Sequence, residues 1–224
     1  MVAAGTASRF GTPKQFALLG GRPVVEWSVA ACRSVCEGVV LVLPADRALV
    51  PPPEAGYGDF SADIVVTGGA TRSASVRCGL SAVPSSASVV VVHDAARPLA
   101  TPELFKVVVG TLLEEKADGV VCALPVVDTL KRLEGPLGPD ADGGASAPRV
   151  RATIDRSELV AVQTPQAFVA DVLRRCHEDG DDATDDACLL EAHGATVRVV
   201  RGDPANIKLT TPKDLALAEW LAGR

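Results

Sequence analysis

Aromatic side chains are scarce: five Phe, two Trp and one Tyr make up 4% of the 224 residues. The core must therefore be packed largely from small aliphatic side chains, and Ala and Val fill most of the apolar runs. Positive charge is also short. Lys and Arg number 22 against 28 Asp and Glu, a net charge of −6. A broad nucleic-acid footprint needs a basic face to displace counterions, so that class is excluded, while a small basic pocket is not. No apolar run reaches the roughly 20 residues that span a bilayer, and no segment has the layout of a secretory signal, so no membrane is expected as a partner. Cys-x-x-Cys, Gly-x-Gly-x-x-Gly and Gly-Lys-Ser/Thr are all missing, which removes the commonest zinc, dinucleotide and P-loop signatures. Six cysteines (Cys32, Cys36, Cys78, Cys122, Cys176 and Cys188) are scattered through apolar segments. Cys32 and Cys36 can share a helix face, but two thiols do not make a zinc site. They read as buried, reduced and structural, and the compartment as cytoplasmic.

What is present is an ordinary globular balance, 47% hydrophobic and 22% charged, in a chain long enough for one α/β domain over residues 1–224. Short β-branched runs at 39–43, 64–67, 89–93, 119–124 and 196–200 predict strands. Helices are predicted at about 24–36, 73–82, 102–116, 169–178, 185–193 and 211–221. This alternation favours a mostly parallel sheet with helices on both faces. Thr101-Pro102 and Thr211-Pro212 each place a cap residue before a proline at the first helical position. One stretch breaks the order. Strand-like segments 126–133 and 150–154 flank a Gly-, Pro- and Asp-rich tip at 134–148, which reads as a protruding β-arm at about 126–162. An arm that leaves its own domain needs a partner to cover it, so a homodimer is expected. At the other end, only residues 1–4 precede a glycine turn, against the five or six of a usual central strand. The expectation is that the natural protein starts several residues upstream.

The first chemistry-bearing segment is Ala3-Ala4-Gly5-Thr6-Ala7-Ser8-Arg9-Phe10-Gly11, followed by Pro13-Lys14-Gln15-Phe16. A small-residue turn after a strand exposes backbone N–H groups that can wrap phosphate oxygens, and Arg9 and Lys14 add two positive charges to the same loop. Seven further blocks follow in order. They are Gly68-Gly69-x-x-Arg72-x-x-Ser75-Val76, His93-Asp94-Ala95-Ala96-Arg97-Pro98, Pro125-x-x-Asp128-Thr129-x-Lys131-Arg132 and Asp155-Arg156-x-x-Leu159. Then come Gln163-Thr164-Pro165-Gln166, Thr184-Asp185-Asp186-Ala187 and Asn206-Ile207-Lys208-Leu209-Thr210.

In this order and over essentially the whole chain, the blocks resemble the nucleotidyltransferases that activate sugar phosphates, and Pro-Lys-Gln-Phe is similar to the methylerythritol phosphate cytidylyltransferases among them. The resemblance implies a Rossmann-like twisted sheet and transfer of CMP from CTP to a small polyol phosphate, 2-C-methyl-D-erythritol 4-phosphate. It implies Mg²⁺ bound mainly through the CTP phosphates, with no protein metal ligand. Residue by residue, it implies Arg9, Lys14 and Lys208 as catalytic groups. Ala3, Ala4, Gly5, Thr6, Ala7, Gly69, Arg72, Ser75 and Asp94 would bind the nucleotide, Ser75 near the pyrimidine edge. Asp94, Arg97, Thr129, Arg156, Thr164, Thr184 and Lys208 would bind the acceptor, with Arg156 and Thr129 reaching in from the partner's arm.

Plainer roles stand beside these. His93 at a strand end reads as an orienting or packed histidine, Asp94 can cap the following turn, and Thr184 reads as a helix N-cap with Asp185 and Asp186 in the first turn. Lys131, Arg132, Arg149 and Arg151 read as solvated arm charges. Two positions depart from the family pattern: Ala7 replaces a usual second glycine, and Ala70 an acidic residue found in many members. Two alternative functions stay open, a ribitol-5-phosphate cytidylyltransferase and a non-catalytic nucleotide-binding protein on the same fold.

Overall fold

Runs of Val, Leu and Ala buried from both sides build the centre of the sheet, in a computed structural model that describes residues 1–5, 13–46, 60–137 and 147–223. After a 3₁₀ turn at Lys14–Phe16 comes a hairpin of β1 (Leu18–Leu19) and β2 (Arg22–Pro23). Its two-residue turn needs positive φ twice, supplied by Gly20 at +58° and Gly21 at +77°. Then follow α1 (Val24–Arg33), β3 (Val40–Leu43), β4 (Ile64–Thr67), α2 (Arg72–Ala82), β5 (Val89–Val92), α3 (Pro102–Glu114) and β6 (Gly119–Pro125). The chain continues through β7 (Leu130–Leu133), β8 (Val150–Ile154), β9 (Val160–Val169), α4 (Ala170–Cys176), α5 (Asp186–Ala192), β10 (Val197–Arg201) and α6 (Pro212–Ala222).

Pairing runs in the order β10-β6-β9-β5, and β3 pairs with β4. Val2 bridges the two groups, lying parallel to Val42 at β3 on one side and Asp94 beyond β5 on the other. Its N–H donates to the His93 carbonyl at 2.8 Å, and the Ala3 N–H donates to the Val42 carbonyl at 2.8 Å. The short strand expected at the amino end is thus in place between β3 and β5. Below Met1 those two strands border an apolar cleft of about 720 Å³ lined by Val39, Val40 and Val89 to Val92 among others. The Met1 ammonium donates to the Val40 carbonyl at 3.0 Å, and burial lowers its pKa.

The four valines of β5 show how the sheet divides the core. Val90 and Val92 pack with Val76 and Leu80 of α2, Leu173 of α4 and Leu190 of α5. Val89 and Val91 face the other way, toward Leu104, Val108 and Leu112 of α3. Period-two alternation within an all-apolar strand therefore covers both faces with helices. At one edge, β10 carries Arg198 and Arg201, charges of the kind that discourage further strand addition.

Every strand and helix predicted from the sequence has a counterpart, with ends shifted by a few residues. One strand was not anticipated. β9 is antiparallel to both β5 and β6, and it lies between them. Its first three residues, Val160, Ala161 and Val162, pair with Pro125, Leu124 and Ala123. The arm boundary expected at 162 is therefore corrected: those residues already belong to the main sheet. What remains beyond that sheet is an antiparallel ribbon of β7 and β8 with largely exposed side chains.

Candidate active site

The carboxyl ends of β3, β4, β5 and the amino-terminal stretch converge on one cleft of about 730 Å³. Open α/β sheets place their ligands at such strand ends. Lining it are Ala3, Ala4, Gly5, Lys14, Gly69, Arg72, Ser75, Asp94 and Lys208, nine of the residues singled out in the sequence. Arg9, Thr6 and Ala7 lie outside the described residues.

Close backbone approach explains the glycine pair after β4. A Cβ on Gly68 would stand 2.6 Å from the Ala4 Cβ and 2.8 Å from Ser75 Oγ, and one on Gly69 would stand 2.5 Å from the Ala74 Cβ. Neither glycine has a positive φ, so space rather than conformation demands them. Ser75 Oγ accepts the Gly69 N–H at 3.2 Å and donates to the Thr71 carbonyl at 2.9 Å. Its hydroxyl is thus engaged in holding the turn. A hydrogen bond to a pyrimidine edge would require exchanging one of these partners.

Along the cleft the charges alternate. Lys208 Nζ lies 2.6 Å from Asp94 Oδ2, and Arg72 Nε lies 3.4 Å from Asp94 Oδ1. Arg72 then turns inward, its Nη1 2.9 Å from Asp186 Oδ2. Burial would raise the Asp94 pKa, but Lys208 and Arg72 more than reverse this and hold the carboxyl well below the usual carboxylate range. Burial likewise opposes the Arg72 charge, and Asp186 and Asp94 outweigh it. One guanidinium nitrogen of Arg72, Nη2, is buried without a hydrogen-bond partner among the described residues.

Beneath Asp94 sits a neutral histidine whose tautomer follows from its neighbours. The Arg97 carbonyl, 3.2 Å from His93 Nε2, can only accept, so Nε2 carries the proton. Nδ1 then accepts from the Thr164 hydroxyl at 3.0 Å, and the same hydroxyl oxygen accepts the Asp94 N–H at 3.0 Å. Burial drives the His93 pKa down to about 3. Thr164 reaches this position because β9 bulges: partners on β6 step from Val121–Gln166 to Cys122–Gln163, leaving Thr164 and Pro165 over. Thr164 is 5% exposed and supports the cleft from below. It is not among the residues that line it.

The Lys208 loop is held just as closely. Gln163 donates to the Asp203 carbonyl at 3.0 Å, and Asn206 donates to the Thr164 carbonyl at 2.9 Å. Arg97 Nη1 donates to the Asn206 carbonyl at 2.8 Å, so this guanidinium is directed to the loop. Downstream, Asp214 Oδ2 takes the backbone N–H groups of Thr210 and Thr211 at 2.8 and 2.7 Å and the Thr210 hydroxyl at 2.7 Å. The Thr210 hydroxyl bond leads the set that lowers the Asp214 pKa to about 2.

Of the expected acceptor residues, Asp94 and Lys208 line the cleft, Arg97 and Thr164 lie behind it, and three fall elsewhere. Thr129 precedes β7 and Arg156 follows β8, both exposed on the ribbon. Thr184 is exposed, and the cap expected of it belongs to its neighbour: Asp185 is the N-cap of α5, its carboxylate accepting the Cys188 N–H at 3.0 Å. Asp185 also takes Gln166 Nε2 at 3.1 Å, a tie to β9 that sets its orientation. Sequence reading missed Asp186 as an ion-pair partner and Gln163 and Asn206 as the supports of the Lys208 loop. Their place inside recognisable blocks was the available signal. Among the described residues no three His, Cys, Asp or Glu side chains group as metal ligands. Among the described residues, Asp94 and Asp46 are the carboxylates lining the cleft.

A family model described as 2-C-methyl-D-erythritol 4-phosphate cytidylyltransferase matches residues 1–224. A relative of that name from Nocardia farcinica is 42% identical over 231 residues, covering 99% of this chain and 92% of its own length. Another so named, from Symbiobacterium thermophilum, is 45% identical over 230 residues, covering 98% and 89%. The crystal structure of the Thermus thermophilus protein of that name superposes with a TM-score of 0.77 at 34% identity, covering 100% of this chain and 97% of the other.

Proposed function

The chain belongs to the 2-C-methyl-D-erythritol 4-phosphate cytidylyltransferase family, and from that premise we propose that the cleft at the strand ends is where CTP and its acceptor meet. The enzyme is a nucleotidyltransferase that moves CMP from CTP to 2-C-methyl-D-erythritol 4-phosphate in isoprenoid biosynthesis. The observation that carries the assignment of the site is the Lys208–Asp94–Arg72 ion-pair row along the cleft, beside the glycine turn and Lys14.

The acceptor phosphate is already ionised at neutral pH, so no side chain need deprotonate it. One of its oxygens bonds to the α-phosphorus, and the bond from that phosphorus to the bridging oxygen breaks, with its electrons leaving on pyrophosphate. The work for the protein is to bring two polyanions together and stabilise charge in the transition state. In this reading Lys208 meets the α-phosphate, and Arg9 and Lys14 neutralise the departing pyrophosphate. Ala3, Ala4, Gly5, Thr6, Ala7 and Gly69 surround the nucleotide with Arg72, Ser75 and Asp94. His93 is no base: its proton is committed to Arg97 and its lone pair to Thr164.

Mg²⁺ fits this site as an ion carried in by the triphosphate. Both Asp94 oxygens are already engaged by cationic side chains, which suits an outer-shell contact through water better than direct ligation. Bound there, the ion would neutralise charge on the phosphate oxygens. In this reading Arg97 and Thr164 support the acceptor side from behind, through the Lys208 loop and His93, while Thr184 of the same chain and Thr129 and Arg156 from the ribbon of a second copy would reach the acceptor. Apolar side chains exposed at the ribbon and its root, Val127 at 78%, Val150 at 57% and Val160 at 46%, support a homodimer through this arm. We read the whole chain as a single Rossmann-like domain. Its six free cysteines suit a cytoplasmic setting, and no described helix is long and apolar enough to cross a membrane.

Pyrophosphate release from CTP and Mg²⁺ tests the reading, with methylerythritol phosphate and ribitol 5-phosphate as competing acceptors. Release dependent on the first is expected. Release with the second alone would move the acceptor to ribitol phosphate. Release with neither, from folded protein, would leave an idle nucleotide-binding protein.

A further inference from the structure

Asp186 lies outside the cleft lining and is fully buried. Aspartates are almost never buried so completely unless paired. Its two oxygens are divided between two partners: Oδ2 faces Arg72 Nη1 at 2.9 Å, and Oδ1 faces His177 Nε2 at 2.9 Å. Capping α5 does not account for Asp186, because Asp185 performs that task. Nor is the pairing with α2 isolated. The loop before α5 is laced to the start of α2 by Thr71 Oγ1 to Asp182 at 2.6 Å, Ser73 Oγ to the Ala183 N–H at 3.1 Å and Arg77 to the Asp181 carbonyl at 2.9 Å. These contacts bring the loop to α2, and Asp186 delivers the charge. Among the described residues Arg72 has only the 3.4 Å contact with Asp94 on its cleft side, so the shorter bond to Asp186 sets where the guanidinium lies. Without it, Arg72 would swing toward Asp94 and compete with Lys208 for that carboxylate.

We propose that Asp186, oriented by His177, is a positioning residue that fixes Arg72 and through it the Asp94–Lys208 pair. The inference rests on the reading that Arg72 serves the nucleotide side of the cleft.

Steady-state kinetics of the full chain test it with Asp186→Asn, His177→Gln, Arg72→Met and the Arg72→Met/Asp186→Asn double variant. Asp186→Asn is expected to lower kcat/KM for CTP about 10²-fold, the scale of an ångström's misplacement of a reacting group. KM for methylerythritol phosphate should change less than KM for CTP. His177→Gln should cost about 10-fold, since it acts one step further away. The double variant should be no worse than Arg72→Met alone, because Asp186 has nothing to position once Arg72 is gone. Additive losses in the double variant, or wild-type kinetics in Asp186→Asn, overturn the inference and leave the role of Arg72 standing. Wild-type kinetics in Arg72→Met overturns both. If Asp186→Asn does not fold, His177→Gln carries the same cycle with Arg72→Met, and additivity there counts equally against the proposal.

Discussion

Two regions carry the residues assigned to catalysis, and they are built on opposite principles. The cleft wall formed by Asp94, Arg72 and the Lys208 loop gives its charges fixed partners before any substrate arrives. The ribbon of β7 and β8 leaves its side chains in solvent, with Arg156 and Thr129 exposed and Val127 and Val150 uncovered. Charges that must stabilise a transition state work best where they need not reorganise, and that requires the dense pairing of the wall. In the proposed dimer, that surface is finished only by a second copy. The wall can therefore be judged from one protomer, while the ribbon cannot.

The largest effect should come from the wall. Lys208→Ala, or Lys14→Ala in the facing loop, is expected to reduce turnover by about 10²–10³, the scale of losing one transition-state donor. Wild-type-like turnover in either variant would remove that residue from the mechanism. On the ribbon, Arg156→Ala should lower kcat/KM for the acceptor by roughly 10–10², as for one charged hydrogen bond, and leave KM for CTP unchanged. Mixed with Lys14→Ala protein, it should regain activity through heterodimers in which one complete site is assembled. No recovery after confirmed subunit exchange would mean that the ribbon does not complete a neighbour's site.

Glycine replacements probe the same contrast through stability. Gly68→Ala puts a Cβ 2.6 Å from Ala4 inside the wall, and an overpacked position of this kind costs about 1–3 kcal/mol. Gly135→Ala, after β7, meets none of the described residues within 4 Å and should stay within about 0.5 kcal/mol. Equal urea midpoints for the two variants would show that the wall tolerates rearrangement.

The same contrast governs what could be read from the sequence. Valine runs such as β5 announce buried strands without help from context, and Thr101-Pro102 announces the start of α3. β9 does not announce itself, because Gln163, Thr164, Pro165 and Gln166 interrupt its apolar pattern. Each of those polar side chains is accepted in the interior only through partners elsewhere in the chain, Asp203 for Gln163, Asp94 and His93 for Thr164, Asp185 for Gln166. The blocks located most of the cleft lining, since they cluster at strand ends. The Arg72–Asp186 pair was out of reach, as its members stand 114 residues apart. Thr184 and Asp185 are both good caps by type, and the Gln166 contact favours the second one in that position.

The dependence on pH sets His93, buried within the wall, against His193, partly exposed at the end of α5. Burial holds the His93 pKa at about 3 in the folded state, against about 6.5 for an unfolded chain. Below pH 6.5 the unfolded chain therefore binds a proton that the native site refuses. Stability falls as pH drops from 6.5 toward 3, by at most about 1.4 kcal/mol per pH unit from this residue. His193 has the opposite sign. Its bond to the Leu189 carbonyl and its contact with Asp179 raise its pKa, so its contribution is present at low pH and is lost as pH rises through its folded value. Asp94 enters only lower, since its depressed pKa supports stability above the usual carboxylate range and is titrated out beneath it. Urea midpoints on both sides of about pH 6.5 separate the two histidines. His93→Gln should flatten the decline below that pH, and His193→Gln should remove the stability that wild type loses as pH rises above it. Parallel curves for wild type and His93→Gln would mean that the imidazole takes up a proton inside the fold, and that the neutral tautomer assigned from Arg97 and Thr164 is wrong.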